Sequence, residues 1–157
     1  AIVVLGNAAG QFPHQVMEEI KAVMLPGYRK ASPGQSAIAD ERFTPPTELL
    51  GTWTGEVHRL EGNLPLRLTF QADGDVHAHL GDQLTTLLNE VRWHDQWLTG
   101  RMLGEIGTAD AGRRRHHLHA DLRLRGDRLE GALIAVSLPG TRFGNALSYW
   151  TSLTKSD

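Results

Sequence analysis

The stretch Leu64-Pro65-Leu66-Arg67-Leu68-Thr69-Phe70-Gln71-Ala72-Asp73-Gly74-Asp75-Val76-His77-Ala78-His79-Leu80 decides how this chain folds. Apolar side chains take every second position, first at Leu64, Leu66, Leu68 and Phe70, then at Val76, Ala78 and Leu80. A period of two is the pleat of a β-strand with one buried face, and Asp73-Gly74 supplies the positive φ that a tight reversal needs. The stretch therefore reads as a hairpin, with Arg67, Asp75, His77 and His79 on its outer face.

The same grammar extends in both directions. Strands are expected near Leu50–Arg59, Leu84–Leu88, Glu90–Trp93, Trp97–Ile106, Arg115–Arg125, Arg128–Ser137 and Ala146–Thr154, with turns at Glu61-Gly62-Asn63, His94-Asp95-Gln96 and Gly126-Asp127. Parity puts Trp53, Gly55 and Val57, and Leu118, Ala120, Leu122 and Leu124, on the inner face. It puts His117, His119, Asp121, Arg123 and Arg125 outside. A run of short strands with one apolar face cannot end in a bare sheet, so the expected fold is all-β, an antiparallel up-and-down barrel of about eight strands. A two-sheet β-sandwich is the alternative. At about eight strands the lumen is either filled by side chains or holds one small ligand, and the inward residues are mostly Leu, Val and Phe.

Ahead of this pattern the chain has another character. Ile2-Val3-Val4-Leu5 is a short β-branched run closed by Gly6-Asn7, and Val16, Ile20, Val23 and Met24 recur at helical spacing after Pro13. Residues 30–47, with Ser32-Pro33-Gly34 and Pro45-Pro46, have turn and extended-chain chemistry and read as a linker. The expected organisation is a strand and helix in 1–29, a linker in 30–47 and a β-barrel in 48–157. A strand-like run with no sheet of its own should seek another edge or another copy of the chain, so self-association through Ile2–Leu5 is expected.

Composition limits the function classes. The 157 residues hold 16 basic and 18 acidic side chains for a net charge of -2, which gives no general attraction to nucleic acid or to anionic membrane. No apolar run approaches the roughly 18 residues that cross a bilayer as a helix. With no cysteine, thiolate catalysis, disulfides and zinc–cysteine sites are excluded, and the compartment is left open.

Ile2-Val3-Val4-Leu5-Gly6-Asn7 followed by a helix through Met17-Glu18-Glu19-Ile20 resembles the last strand and C-terminal helix of the serine β-lactamase and penicillin-binding-protein-like hydrolases. Many members of that family carry, after a linker, an extra β-domain opening with Leu-x-Gly-x-Trp, here Leu49-Leu50-Gly51-Thr52-Trp53. Pro65-Leu66, Asp73-Gly74-Asp75-Val76, Leu80-Gly81, Arg125-Gly126-Asp127 and Asn145-Ala146-Leu147-Ser148 have the look of such an appended domain. The Gly-x-Trp opening is also similar to that of lipocalin-like barrels, in which the tryptophan closes one end; Gly51 and Trp53 are thus the expected closure residues. The resemblance implies a non-catalytic accessory barrel whose partner is the catalytic domain of a periplasmic or secreted parent hydrolase. It also implies, as an alternative, a carrier of a small apolar ligand. The family's catalytic serine and lysine lie upstream of the matched strand and cannot be placed in this chain.

Ser152-Leu153-Thr154-Lys155 spells Ser-x-x-Lys, but at the end of a strand two side chains three apart point to opposite faces, so it should not be catalytic. His77-x-His79 and His117-x-His119 each place two imidazoles on one face of a strand. That spacing can chelate zinc, nickel or copper if the two strands are neighbours, with Asp75 or Asp121 completing the set. A solvated polar face is the reading we prefer, and no metal or other cofactor is expected. Arg113-Arg114-Arg115-His116-His117 reads as a charged turn, and Arg125-Gly126-Asp127 as a hairpin turn rather than an adhesion site. Trp53, Trp93, Trp97 and Trp150 are expected to plug the barrel ends and fill the core, the alternative being a ligand cavity.

Overall fold

The computed structural model describes Val16, Glu19, Ile20, Val23 and Met24, all helical, together with residues 43–138 and 145–156. The chain divides into two compact units, Ala1–Glu41 and Arg42–Asp157. In the first, Val23 and Met24 present apolar surface to solvent. The expected strand Ile2–Leu5 and most of the expected linker lie outside the described residues.

Among its described residues the second unit has nine strands: β1 (Gly51–Val57), β2 (Leu64–Phe70), β3 (Val76–Leu80), β4 (Thr86–Leu87), β5 (Asn89–His94), β6 (Trp97–Met102), β7 (His116–Arg125), β8 (Arg128–Ser137) and β9 (Ala146–Ser156). They form one antiparallel sheet in the order β4-β3-β2-β1-β9-β8-β7-β6-β5. The sheet curls into a nearly closed barrel, as the alternation predicts, and its continuity disposes of the sandwich. First and last strands meet in the middle of this order, from Thr52 opposite Ser156 to Val57 opposite Thr151. The two sheet edges, β4 and β5, are consecutive in the chain with only Leu88 between them.

Side-chain parity sets the core. Trp53, Val57, Leu66, Leu68, Phe70, Val76, Ala78, Leu80, Leu118, Ala120, Leu122 and Leu124 are all buried, as expected from their alternation. Leu98, Met102, Leu129, Leu133 and Leu153 continue the same layer around the barrel. Phe43 packs on this core and Pro45 is buried, so part of the expected linker belongs to the barrel unit. The turns have the anticipated chemistry: Asp95 and Gln96 both take positive φ between paired His94 and Trp97, and Gly126 does so between paired Arg125 and Arg128.

Two expected strands are shorter than their apolar content suggested. Leu84–Leu88 reduces to the two residues of β4, and Trp97–Ile106 stops at Met102. Beyond Met102, side chains take over the pairing that a neighbouring strand would have made. Gln83 Nε2 donates to Glu105 O at 2.8 Å, Glu105 N donates to Gln83 Oε1 at 2.7 Å, and Arg59 Nη1 donates to Ile106 O at 2.7 Å. Backbone groups satisfied in this way have no need of a ladder. A one-turn helix, Ala109–Gly112, follows, N-capped by Thr108, whose hydroxyl accepts from Ala111 N.

Candidate functional site

Three places on the barrel gather the residues singled out by the sequence. The first is the surroundings of Trp53 and Gly51, the expected closure residues. Trp53 is 1% exposed, and its indole N–H donates to Leu49 O at 2.8 Å. Lys155, directly opposite on β9, holds its ammonium 5.7 Å from the indole centroid and donates to Glu48 O at 3.1 Å. Gly51 has φ 105, and a Cβ there would meet Lys155 Cε at 3.5 Å. The tryptophan, the lysine stem and the turn before β1 thus form one contact cluster. Ser152 points outward between Glu56 and Glu130, the opposite face from Leu153, so Ser152 and Lys155 do not converge.

The other two places are grooves on the outer face. One, of about 250 Å³, is lined by Thr52, Arg67, Thr69, His77, His79 and Thr85. His79 lies opposite Arg67, and its Nδ1 is 3.2 Å from Thr85 Oγ1. The larger, of about 510 Å³, is lined by Glu90, Arg92, Thr99, Arg101, His117, His119 and Val136. Here Arg101 lies opposite His119, and Arg92 opposite Thr99. The β5–β6 register shifts between Asn89 and Arg92, and Glu90 takes φ 52 within that irregularity. Its carboxylate accepts from Arg101 Nη1 at 2.8 Å. Burial holds the His117 imidazole below its ordinary pKa; neighbouring Arg101, His119 and His116 push the same way, and Glu90 opposes them.

The two histidine pairs therefore sit in separate grooves. β3 pairs with β2 and β4, whereas β7 pairs with β6 and β8, so the neighbouring strands that a four-histidine chelate requires are not there. Among the described residues no group of three or more His, Asp or Glu is placed to hold a metal. Asp75 belongs to the β2–β3 turn, where its N–H donates to Asp73 Oδ1 at 3.1 Å.

The basic run divides in two. Arg113 pairs with Asp110 at 3.3 Å, and Arg115 O accepts from Leu138 N at 2.9 Å, as befits a turn. His116 has the inward parity: its side chain is 3% exposed, its Nδ1 lies 3.0 Å from Arg114 O, and its Nε2 stands 3.6 Å from Glu105 Oε2.

Two of the four tryptophans depart from expectation. Trp97 and Trp150 are 41% and 56% exposed, because their positions in β6 and β9 share parity with the outer face. Arg123, opposite Trp97, lies with its guanidinium 5.6 Å from the indole centroid.

The residues that sequence reasoning missed are Glu90, Arg92, Thr99 and Arg101. Their signal was available: Thr99 and Arg101 alternate with buried Leu98 and Gly100, and the short His94–Trp97 turn fixes their register against β5. No known family, characterised protein or solved structure matches this chain.

Proposed function

We propose that this barrel is a non-catalytic accessory domain of a β-lactamase-like serine hydrolase, acting through its outer surface to shape substrate access to, or to stabilise, the parent's catalytic domain. The observation that carries this reading is the filled interior. Leu66, Leu68, Leu98, Leu118, Leu122 and Leu133 are at most 1% exposed, and Leu88 occupies the space where a Cβ on Gly100 would fall, at 2.6 Å. An interior closed by aliphatic side chains leaves the outside of the shell as the working surface. There, Trp97 and Trp150 offer the amphipathic aromatic surface that protein interfaces favour. The Leu49-Leu50-Gly51-Thr52-Trp53 opening and the strand, helix and linker pattern ahead of it support the parentage.

The test is turnover by the chain itself. Nitrocefin and a p-nitrophenyl ester should both stay intact, and hydrolysis that disappears in Ser152→Ala would overturn the proposal. Titration with an apolar fluorophore should give no saturable signal, since a filled shell has no room for it.

A further inference from the structure

We propose that the groove across β5–β8 is a binding site for a small oxyanion, a phosphate ester or a carboxylate, held between Arg92 and Arg101 and flanked by His117, His119 and Thr99. This goes beyond the accessory-domain reading and does not depend on it.

The placement is specific. Consecutive hairpins bring Arg92, Thr99, Arg101 and His119 to facing outward positions on three neighbouring strands, and β8 adds only Val136. A cavity of about 510 Å³ falls in the size range of small-ligand sites. Glu90 lies within the register shift between Asn89 and Arg92, and its carboxylate accepts from Arg101 Nη1 at 2.8 Å. That contact orients the guanidinium while leaving most of its five N–H donors unspent, the state in which arginine grips a planar or tetrahedral anion with two donors at once.

The charge balance points the same way. Among the described residues Glu90 is the one carboxylate lining the groove, set against two guanidiniums and two imidazoles. Asp121 lies one step further along β7, opposite Thr99 and outside the lining. The groups acting on His117 are Arg101 from β6, His119 and His116 from β7 and Glu90 from β5; Arg92 shares the groove lining, and β8 presents apolar Val136. A bound anion would favour proton uptake there, so binding and protonation should reinforce each other. The smaller groove, with Arg67, His77 and His79, has the same residue types but one arginine and about 250 Å³, and serves as a control within the molecule.

The experiment is an NMR titration of the full chain, following histidine ring and arginine side-chain resonances. The probes are inorganic phosphate, succinate and sulfate; sulfate keeps its charge across the pH range used. Saturable shifts at Arg92, Arg101, His117 and His119 are expected. Sulfate binding should tighten as pH falls from about 8 to about 5.5, because an anion in the groove favours the protonated form of His117. Arg92→Gln and Arg101→Gln should each weaken binding about tenfold or more, by loss of a charge-assisted pair, and Arg67→Gln should leave it unchanged. Phosphate binding more tightly than succinate assigns a phosphate ester, and the reverse order a carboxylate. Should Arg101→Gln fail to fold without its Glu90 contact, Arg92→Gln alone decides. Shifts that do not saturate, that fall equally on Arg67, His77 and His79, or that survive Arg92→Gln would overturn the site.

Discussion

Single residues in this barrel are constrained by neighbours that sequence alone does not reveal. Gly55 and Gly131 are the clearest cases: a Cβ would fall 2.0 Å from Ser152 O at the first and 2.1 Å from Asp121 O at the second, both backbone atoms of the adjacent strand. Strands that bend this sharply to close a barrel need glycine at the bend. Gly55→Ala or Gly131→Ala should therefore destabilise the fold by about 1–3 kcal/mol or more, as overpacking does, and urea unfolding will show it as a lowered midpoint. Trp53→Phe removes the donor to Leu49 O and should cost about 1–3 kcal/mol by the same measurement, since the buried carbonyl loses its partner. His117 gives a prediction with a sign. Its folded-state pKa is depressed below the ordinary 6.5, so protons favour the unfolded chain. Its contribution is fully present above about pH 6.5 and lost as pH falls through that value toward the folded pKa. Thermal melts from about pH 8 to about pH 5 should thus show a declining Tm, and His117→Gln should flatten part of that decline. If the Tm of His117→Gln tracks the parent at every pH, the effect belongs to other groups.

Elements were legible wherever alternation met a clear turn. In β2, β3, β7 and β8 the inner face follows directly from counting by twos, because one buried face leaves no second register open. The outer face of Trp97 and Trp150 obeys the same parity, but general expectations about tryptophan burial overrode it. The seam between the β4 segment and residues 103–106 beyond β6 was not legible, because its contacts are made by side chains from distant positions. Gln83 exchanges two hydrogen bonds with Glu105, and Thr86 Oγ1 donates to Leu103 O at 3.2 Å, so an apolar run such as Leu84–Leu88 yields only a two-residue strand. The grooves were half legible: histidine pairs stand out in a sequence, whereas the arginines opposite them are fixed by register and by a bulge at Glu90. Gln83→Ala should expose the Glu105 amide, which will exchange faster with deuterium while the amides of β7 and β8 keep their protection. Uniformly faster exchange would mean that the seam is not a separate element but part of the cooperative core.

At the scale of the whole molecule, chain order and sheet order are out of step. The barrel closes where β1 meets β9, which begins with Thr52 opposite Ser156, while its unpaired edges β4 and β5 are adjacent in sequence. The pairing most distant along the chain thus completes the shell, and long-range closure of this kind slows folding, because loop entropy is lost before the contacts that offset it form. The adjacent edges suggest how to reverse this. A permuted chain that begins at Asn89, joins Ser156 to Phe43 through a short Gly-Ser linker and ends at Leu88 keeps every strand pair while bringing β9 and β1 together through a short connection. Lys155 Nζ donates to Glu48 O at 3.1 Å, so the segments to be joined already lie side by side. The permutant should keep the parent's near-ultraviolet circular dichroism and refold faster in stopped-flow mixing, its contact order having fallen. A permutant that refolds no faster, or that loses its fixed aromatic signal, would show that the Leu88 connection takes part in closure.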